Sequence, residues 1–187
     1  AYRVMVASSR EKLASDDGDL WDSGKIASAE SVGVPYRGRG LRSNQACFWK
    51  VQTWDQKDVA SAWSEASQWE MGLVEPQAWN AVWINDSKEN PRDDAAFYAD
   101  DPAPCFRKEF SVAKGVKRAR LHVSGLGYYE ATINSKRVGD QWLDPGWTKF
   151  SARVFYSTFE VTDQLTAGKN CLGIMVGNGW YNPLPLR

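Results

Sequence analysis

Asp144-Pro-Gly-Trp-Thr148 and Gly177-Asn-Gly-Trp-Tyr181 are the segments of this 187-residue chain whose residue types suit contact with a ligand. One sets Trp147, the other Trp180 and Tyr181, beside Asp, Asn, Gly or Pro, the residues that build turns. Rings on turns are displayed more often than rings inside strands. A sugar stacks its apolar C–H face on indole or phenol while Asn, Asp and Arg hydrogen-bond its hydroxyls. The candidate carbohydrate-binding set is therefore Trp147, Trp180, Tyr181, Asn178, Tyr128 and Asp144. Structural roles compete at each position. Asp144 reads first as a turn former before Pro-Gly, and the Gly177–Tyr181 segment reads slightly more as packing than as ligand contact.

Chemistry of cleavage is not written here. A glycosidase needs two carboxyl groups flanking the bond, one as acid and one as base or nucleophile. Glu130 faces outward from a strand, Asp144 opens a turn and Asp163 caps a break, so no catalytic residue is assigned. No phosphate loop or nucleophile elbow occurs, and no cofactor is implied. Cys47, Cys105 and Cys171 are three, far apart and without Cys-x-x-Cys spacing, which argues against a disulfide framework and a zinc site. Cys47 and Cys171 read as buried small hydrophobes. His122, the single histidine, reads as the solvent side of a strand. Asp86, Glu89, Asp93, Asp94, Asp100 and Asp101 do not follow calcium-loop spacing, so no metal is assigned. With 23 basic and 23 acidic residues, net charge draws the chain toward neither nucleic acid nor an anionic membrane. No apolar stretch has membrane-spanning length.

The elements that must hold these residues are strands. Leu121/Val123, Tyr129/Ala131/Ile133, Phe155/Phe159/Val161 and Leu172/Ile174/Val176 each put one apolar face on a period-two run, enough for a two-sheet core. Upstream, strands are expected at Tyr2–Ala7, Trp21–Ile26, Cys47–Trp54 and Glu65–Glu70, with Trp49 as a core tryptophan. Alternation stops near Met71–Pro76. The fold class is all-β, as two sandwich units: residues 1–75, immunoglobulin- or fibronectin-III-like and truncated at its start, and 76–187, jelly-roll or galactose-binding-like and truncated at its end. Residues 85–104 read as a long polar connector, 162–170 as a short helical turn ending at Gly168, and Trp79 and Trp83 as packing between the units. The hairpin turn Asn134-Ser135 lacks the Gly that positive φ at both central residues favours.

The order of Phe106-Arg-Lys-Glu-Phe110, Gly125-Leu-Gly-Tyr-Tyr129, Ile133-Asn134, Val138-Gly139, Asp144-Pro-Gly-Trp-Thr148, Tyr156, Asp163, Gly168-Lys-Asn170 and Gly177-Asn-Gly-Trp-Tyr181 resembles the N-terminal β-sandwich domain of bacterial alpha-L-rhamnosidases. Ala46-Cys-Phe-Trp-Lys-Val-Gln-Thr-Trp-Asp55, Ser61-Ala-Trp-Ser-Glu65 and Trp79-Asn-Ala-Val-Trp-Ile84 are similar to the fibronectin-III-like segment and junction preceding it. The resemblance implies a rhamnose-releasing hydrolase whose catalysis belongs to a following (α/α)6 domain of the same chain. Its partners would be that domain and a rhamnose-containing glycoside or polysaccharide, in a periplasmic or secreted setting, with a cytoplasmic one as the alternative. A free-standing carbohydrate-binding module and a cell-surface adhesion array are the competing functions, since fold alone does not separate them. The chain opens inside an alternating run and stops after the Gly-Asn-Gly-Trp-Tyr segment, so a piece of a longer polypeptide is expected.

Overall fold

In the first half of the chain one apolar stripe runs along Tyr2, Val4 and Val6, and register carries it across a sheet. The computed structural model describes residues 1–89, 92–97, 102–113 and 116–181. Strands β1 (Tyr2–Ala7), β2 (Trp21–Asp22), β3 (Ala46–Thr53) and β4 (Ser67–Glu70) form an antiparallel sheet in the order β2-β1-β3-β4. Val6 lies opposite both Trp21 and Trp49, Val4 opposite Val51, and Cys47 opposite Trp69. Directly opposed residues share a face, so these side chains form one wall. The other wall carries Met5, Ala7, Phe48 and Lys50 and is covered by Trp63 and by helix α1 (Arg10–Ala14), whose Leu13 is buried.

Four expectations shift in this unit. α1 interrupts a stretch read as a connection; Ser9 caps it by accepting the Lys12 N–H at 3.3 Å. β2 ends at Asp22 because the Ser23 hydroxyl takes the Val4 N–H (2.8 Å) and Gly24 turns to φ +62°, before Tyr2 and Ile26 resume pairing. β4 begins at Ser67 rather than Glu65. Trp49 is only half-buried, because a loop rather than a strand layer crosses its face. Cys47 is buried as expected. Lys50 is buried too, its ammonium paired with Asp16 and 4.7 Å from the centre of the Trp63 ring.

Ahead of β2, Asp19 ties α1 to the sheet. It accepts the Ser8 N–H (2.8 Å), the Ser8 hydroxyl (2.7 Å) and the Lys12 ammonium (2.7 Å). Burial alone would raise its pKa, but these donors outweigh that and hold it at about 2. A carboxylate depressed in the folded state contributes stability above its unfolded pKa, near 3.8, and loses it as pH falls toward about 2. Asp19→Asn is expected to cost about 1–2 kcal/mol at pH 7 and distinctly less near pH 2.5, read as the urea-midpoint difference at the two pH values.

The second unit packs two sheets. Strands β5 (Cys105–Val112), β6 (Arg120–Val123), β7 (Tyr128–Ile133), β8 (Lys136–Arg137), β9 (Ser157–Glu160) and β10 (Gly168–Gly177) form one sheet ordered β5-β10-β7-β8 and a β6-β9 pair. Leu172, Ile174 and Val176 lie opposite Ile133, Ala131 and Tyr129, and Leu121 lies opposite Phe159. These faces meet in a core of Val123, Tyr129, Ala131, Ile133, Val138, Phe159 and Val161. Contacts divide the chain into compact units 1–82 and 83–187.

Three side chains differ from expectation here. Phe155 precedes β9 and is exposed, and Cys171 is half-buried on the outer face of β10. His122 is half-buried rather than solvated, 2.9 Å from the Thr158 hydroxyl and edge-on to Tyr156; burial and then Arg120 push its pKa down. The break at 162–170 is a 3-10 turn at Thr162–Gln164 followed by Gly168 at φ +90°. Trp83 is largely exposed and Trp79 partly so. A short helix, α2 (Asp94–Phe97), lies in the acidic connector; Asp100, Asp101 and the terminal Leu184–Arg187 fall outside the described residues.

The β7–β8 turn forms despite lacking Gly, with Asn134 at φ +52° and Ser135 at φ +66°. Asn134 is anchored: it donates to Asn170 Oδ1 (2.9 Å) and Gln164 O (3.0 Å) and accepts the Cys171 N–H (3.0 Å). Ser135, exposed, bears the left-handed backbone without such bonds among those described. Ser135→Gly is expected to raise stability by about 0.5–1 kcal/mol, measured as an upward shift of the urea midpoint.

Candidate functional site

The long β8–β9 connection and the tail of β10 bring turn aromatics together. The first is pinned where Tyr129 N–H donates to Asp144 O (3.0 Å) and where the Ser124 hydroxyl donates to Phe155 O (2.8 Å). Between these points Ala152 and Arg153 N–H return to Lys149 O at 2.8 and 3.0 Å, closing a local turn. The second is pinned by glycines: a Cβ on Gly127 would stand 1.9 Å from Gly177 O, and Gly179 at φ +54° leaves 3.0 Å from its would-be Cβ to Tyr128 N. Only backbone without side chains approaches so closely.

These two anchors place Trp147 beside Trp180, ring centres 5.9 Å apart and planes 39° apart, with 68% and 58% of the residues exposed. Tyr181 meets Phe150 edge-on at 5.6 Å, and both Tyr181 and Asn178 are exposed. The tilted pair gathers two exposed indoles in one patch, and a pyranose stacks on such rings. Exposed rings gathered this way are worth a functional reading, whereas singly scattered ones are not.

Among the described contacts, the remaining expected site residues engage groups other than the two indoles. Tyr128 is half-buried at the start of β7, and its N–H side faces the Gly179 bend. Asp144 is half-buried, and its carboxylate accepts the Ser157 hydroxyl at 3.0 Å. Asp144 thus ties the β8–β9 connection to β9. Burial pushes the neighbouring Tyr129 phenol up, Ser157 offsetting part of that and the Asp144 charge adding to it. Trp142, exposed in the same connection, has one face taken by the Arg137 guanidinium 3.7 Å away, and Arg137 also donates to Gln141 O at 2.6 Å.

Phe150 and Gly127 were not singled out as parts of the site by sequence reasoning. Phe150 sits in the same connection as Trp147, and its aromatic character was the available signal. Gly127 shows only as one of a Gly-x-Gly pair, because its partner lies fifty residues on in β10. Glu130, Asp144 and Asp163 occupy a strand, an isolated antiparallel bridge to Tyr129 and a 3-10 turn respectively. Among the described residues no group of three or more His, Cys, Asp or Glu gathers to hold a metal, and no helix is long and apolar enough to cross a membrane.

Comparison with known proteins fits this geometry. Residues 1–75 match the Rha78A-like N-terminal immunoglobulin domain, and residues 114–184 match the alpha-L-rhamnosidase N-terminal domain. An alpha-L-rhamnosidase of Formosa agariphila is 36% identical over 195 aligned residues, covering 97% of this chain and 20% of that protein. The alpha-L-rhamnosidase structure from Dictyoglumus thermophilum superposes with a TM-score of 0.85 at 40% identity, over 97% of this chain and 21% of that one. The alfa-L-rhamnosidase of Aspergillus terreus does so with a TM-score of 0.74 at 32% identity, over 96% and 20%. The chain spans about a fifth of the length of these relatives. By both of its domains, the chain belongs to the N-terminal region of the alpha-L-rhamnosidase family.

Proposed function

We propose that this chain is the non-catalytic N-terminal region of an alpha-L-rhamnosidase, a glycoside hydrolase releasing terminal alpha-L-rhamnose. In this reading residues 1–75 and 76–187 are its two domains. They support a separate catalytic domain of the same polypeptide, and the second also holds a rhamnose-containing glycoside. The observation that carries the binding part is the exposed, tilted Trp147–Trp180 pair. The relatives' names and the small share of their length matched here support the rest.

Calorimetric titration with L-rhamnose tests the binding role. Weak binding in the millimolar range is expected, and the double variant Trp147→Ala/Trp180→Ala should lose it by tenfold or more, since each stacking ring contributes about 1 kcal/mol. Absence of heat at millimolar sugar and rhamnosides would leave only the supporting role. Assayed on an aryl alpha-L-rhamnoside, the chain is expected to give no turnover above buffer, and robust hydrolysis would overturn the non-catalytic reading.

A further inference from the structure

Across the outer wall of the first sheet, the connection between β2 and β3 spans a cavity of about 1040 Å³ instead of closing on it. The floor is Val4, Val6 and Val51, and the sides are Trp21, Trp49 and Trp69. Tyr36 stands in from the crossing loop as a fixed pillar: its one hydroxyl proton is shared between Leu20 O (3.1 Å) and Arg39 O (2.9 Å). It meets Trp21 and Trp69 edge-on, at 5.4 and 6.3 Å and 74° in both cases. The aromatic walls are thus held before anything binds, which lowers the entropic cost of binding.

The polar inventory defines what fits. Glu30 and Asp55 are the only charged side chains among the lining residues, and Asp55 already accepts the Lys57 and Val59 N–H groups at 2.9 and 2.8 Å. No cationic side chain is among these lining residues, the Ala1 ammonium is engaged with Trp54 O (3.3 Å) and the Lys25 ammonium over Trp54 is paired with Asp58, so an anionic ligand would meet two carboxylates and cations already engaged. Ser28 Oγ accepts the Glu30 N–H and Thr53 Oγ1 is engaged with Ser61 Oγ. The floor between the rings is aliphatic, so a many-hydroxyl sugar lodged there would leave hydrogen bonds unmade. We propose that this cavity binds a neutral, flat, largely apolar ring molecule, lodged among Trp21, Trp49, Trp69 and Tyr36. The site is separate from the turn patch of the second unit.

Calorimetry with 2-naphthol, 2-naphthalenesulfonate and L-rhamnose on the full chain tests it. The neutral naphthol should bind and the sulfonate, the same ring with an anion, should bind at least about tenfold more weakly. Val51→Trp, which fills the floor without removing apolar surface, should weaken naphthol binding at least about tenfold without lowering the melting temperature. Trp49→Leu, which keeps the wall apolar but removes its ring, should also weaken it, whereas Trp147→Ala/Trp180→Ala should leave it unchanged. Naphthol giving no heat at millimolar concentration, the sulfonate binding equally, L-rhamnose displacing naphthol, or both cavity variants binding as the parent does would each overturn the proposal. Of those results only displacement by L-rhamnose bears on the rhamnose titration of the second unit; the others leave it untouched.

Discussion

Gly127→Ala is expected to lower the stability of the second unit by about 3 kcal/mol, a fall of about 10 °C or more in its melting temperature. The added methyl would lie 1.9 Å from Gly177 O and 2.9 Å from Asn178 O. Both obstacles are backbone, so no side chain can rotate aside. The segment before β7 must separate from the end of β10, and the bend carrying Asn178, Trp180 and Tyr181 moves with it. Near-ultraviolet circular dichroism should therefore lose the contribution of the Trp147–Trp180 pair along with the fall in melting temperature. Gly40→Ala is the matched control: nothing lies within 4 Å of its would-be Cβ, so its effect should stay within about 0.5 kcal/mol. An unchanged melt for Gly127→Ala would mean that the two segments do not approach as described.

Asn170→Ala should cost about 2–3 kcal/mol, by a different mechanism. Asn170 is 3% exposed, and its amide spends every group it has. Nδ2 donates to Thr166 O (2.8 Å) and Gly168 O (2.9 Å), while Oδ1 accepts from Thr166 N–H (2.9 Å) and Asn134 Nδ2 (2.9 Å). Truncation leaves the half-buried Asn134 amide and the backbone groups of Thr166 and Gly168 without their partner; Thr166 and Gly168 are exposed, so water recovers part of that loss, and the costs add less than fully because one network is shared. Asn134 is one of them, so the β7–β8 turn loosens as well. Asn170→Asp keeps the shape but turns a carboxylate oxygen toward two carbonyl oxygens, and should be no more stable than the alanine variant at pH 7. Urea unfolding of the three proteins decides the matter; a loss below 1 kcal/mol for both variants would dismiss the network as a stabilising element.

Much of the fold was legible because period-two burial is local. Leu172/Ile174/Val176 and Tyr129/Ala131/Ile133 alternate within each strand, and the structure sets those faces against each other. What was not legible depends on long-range partners. Trp49 sits on the apolar stripe of its strand, yet whether a sheet or a loop lies over that stripe is decided by the connection between β2 and β3. Phe155 continues the alternation of β9, but the Ser124 hydroxyl holds its carbonyl outside the strand. Ser135 lacks the residue type its backbone angle favours, and the turn forms because Asn134 is bonded to β10 and to Gln164. At the candidate site, turn context singled out Trp147, Trp180 and Tyr181 and the structure gathers them. Turn context does not set Asp144 apart from them, because its tie to Ser157 crosses to another strand.

The measurement closest to the central claim is a residue-resolved titration with L-rhamnose, following the indole N–H signals of the tryptophans by nitrogen-15 correlation spectroscopy. The Trp147 and Trp180 indole signals should shift together along one saturation curve, while those of Trp21, Trp49 and Trp69 stay still. Signals that remain unmoved at millimolar sugar, or shifts confined to the first unit, would contradict the assignment of the turn patch as the saccharide-holding face.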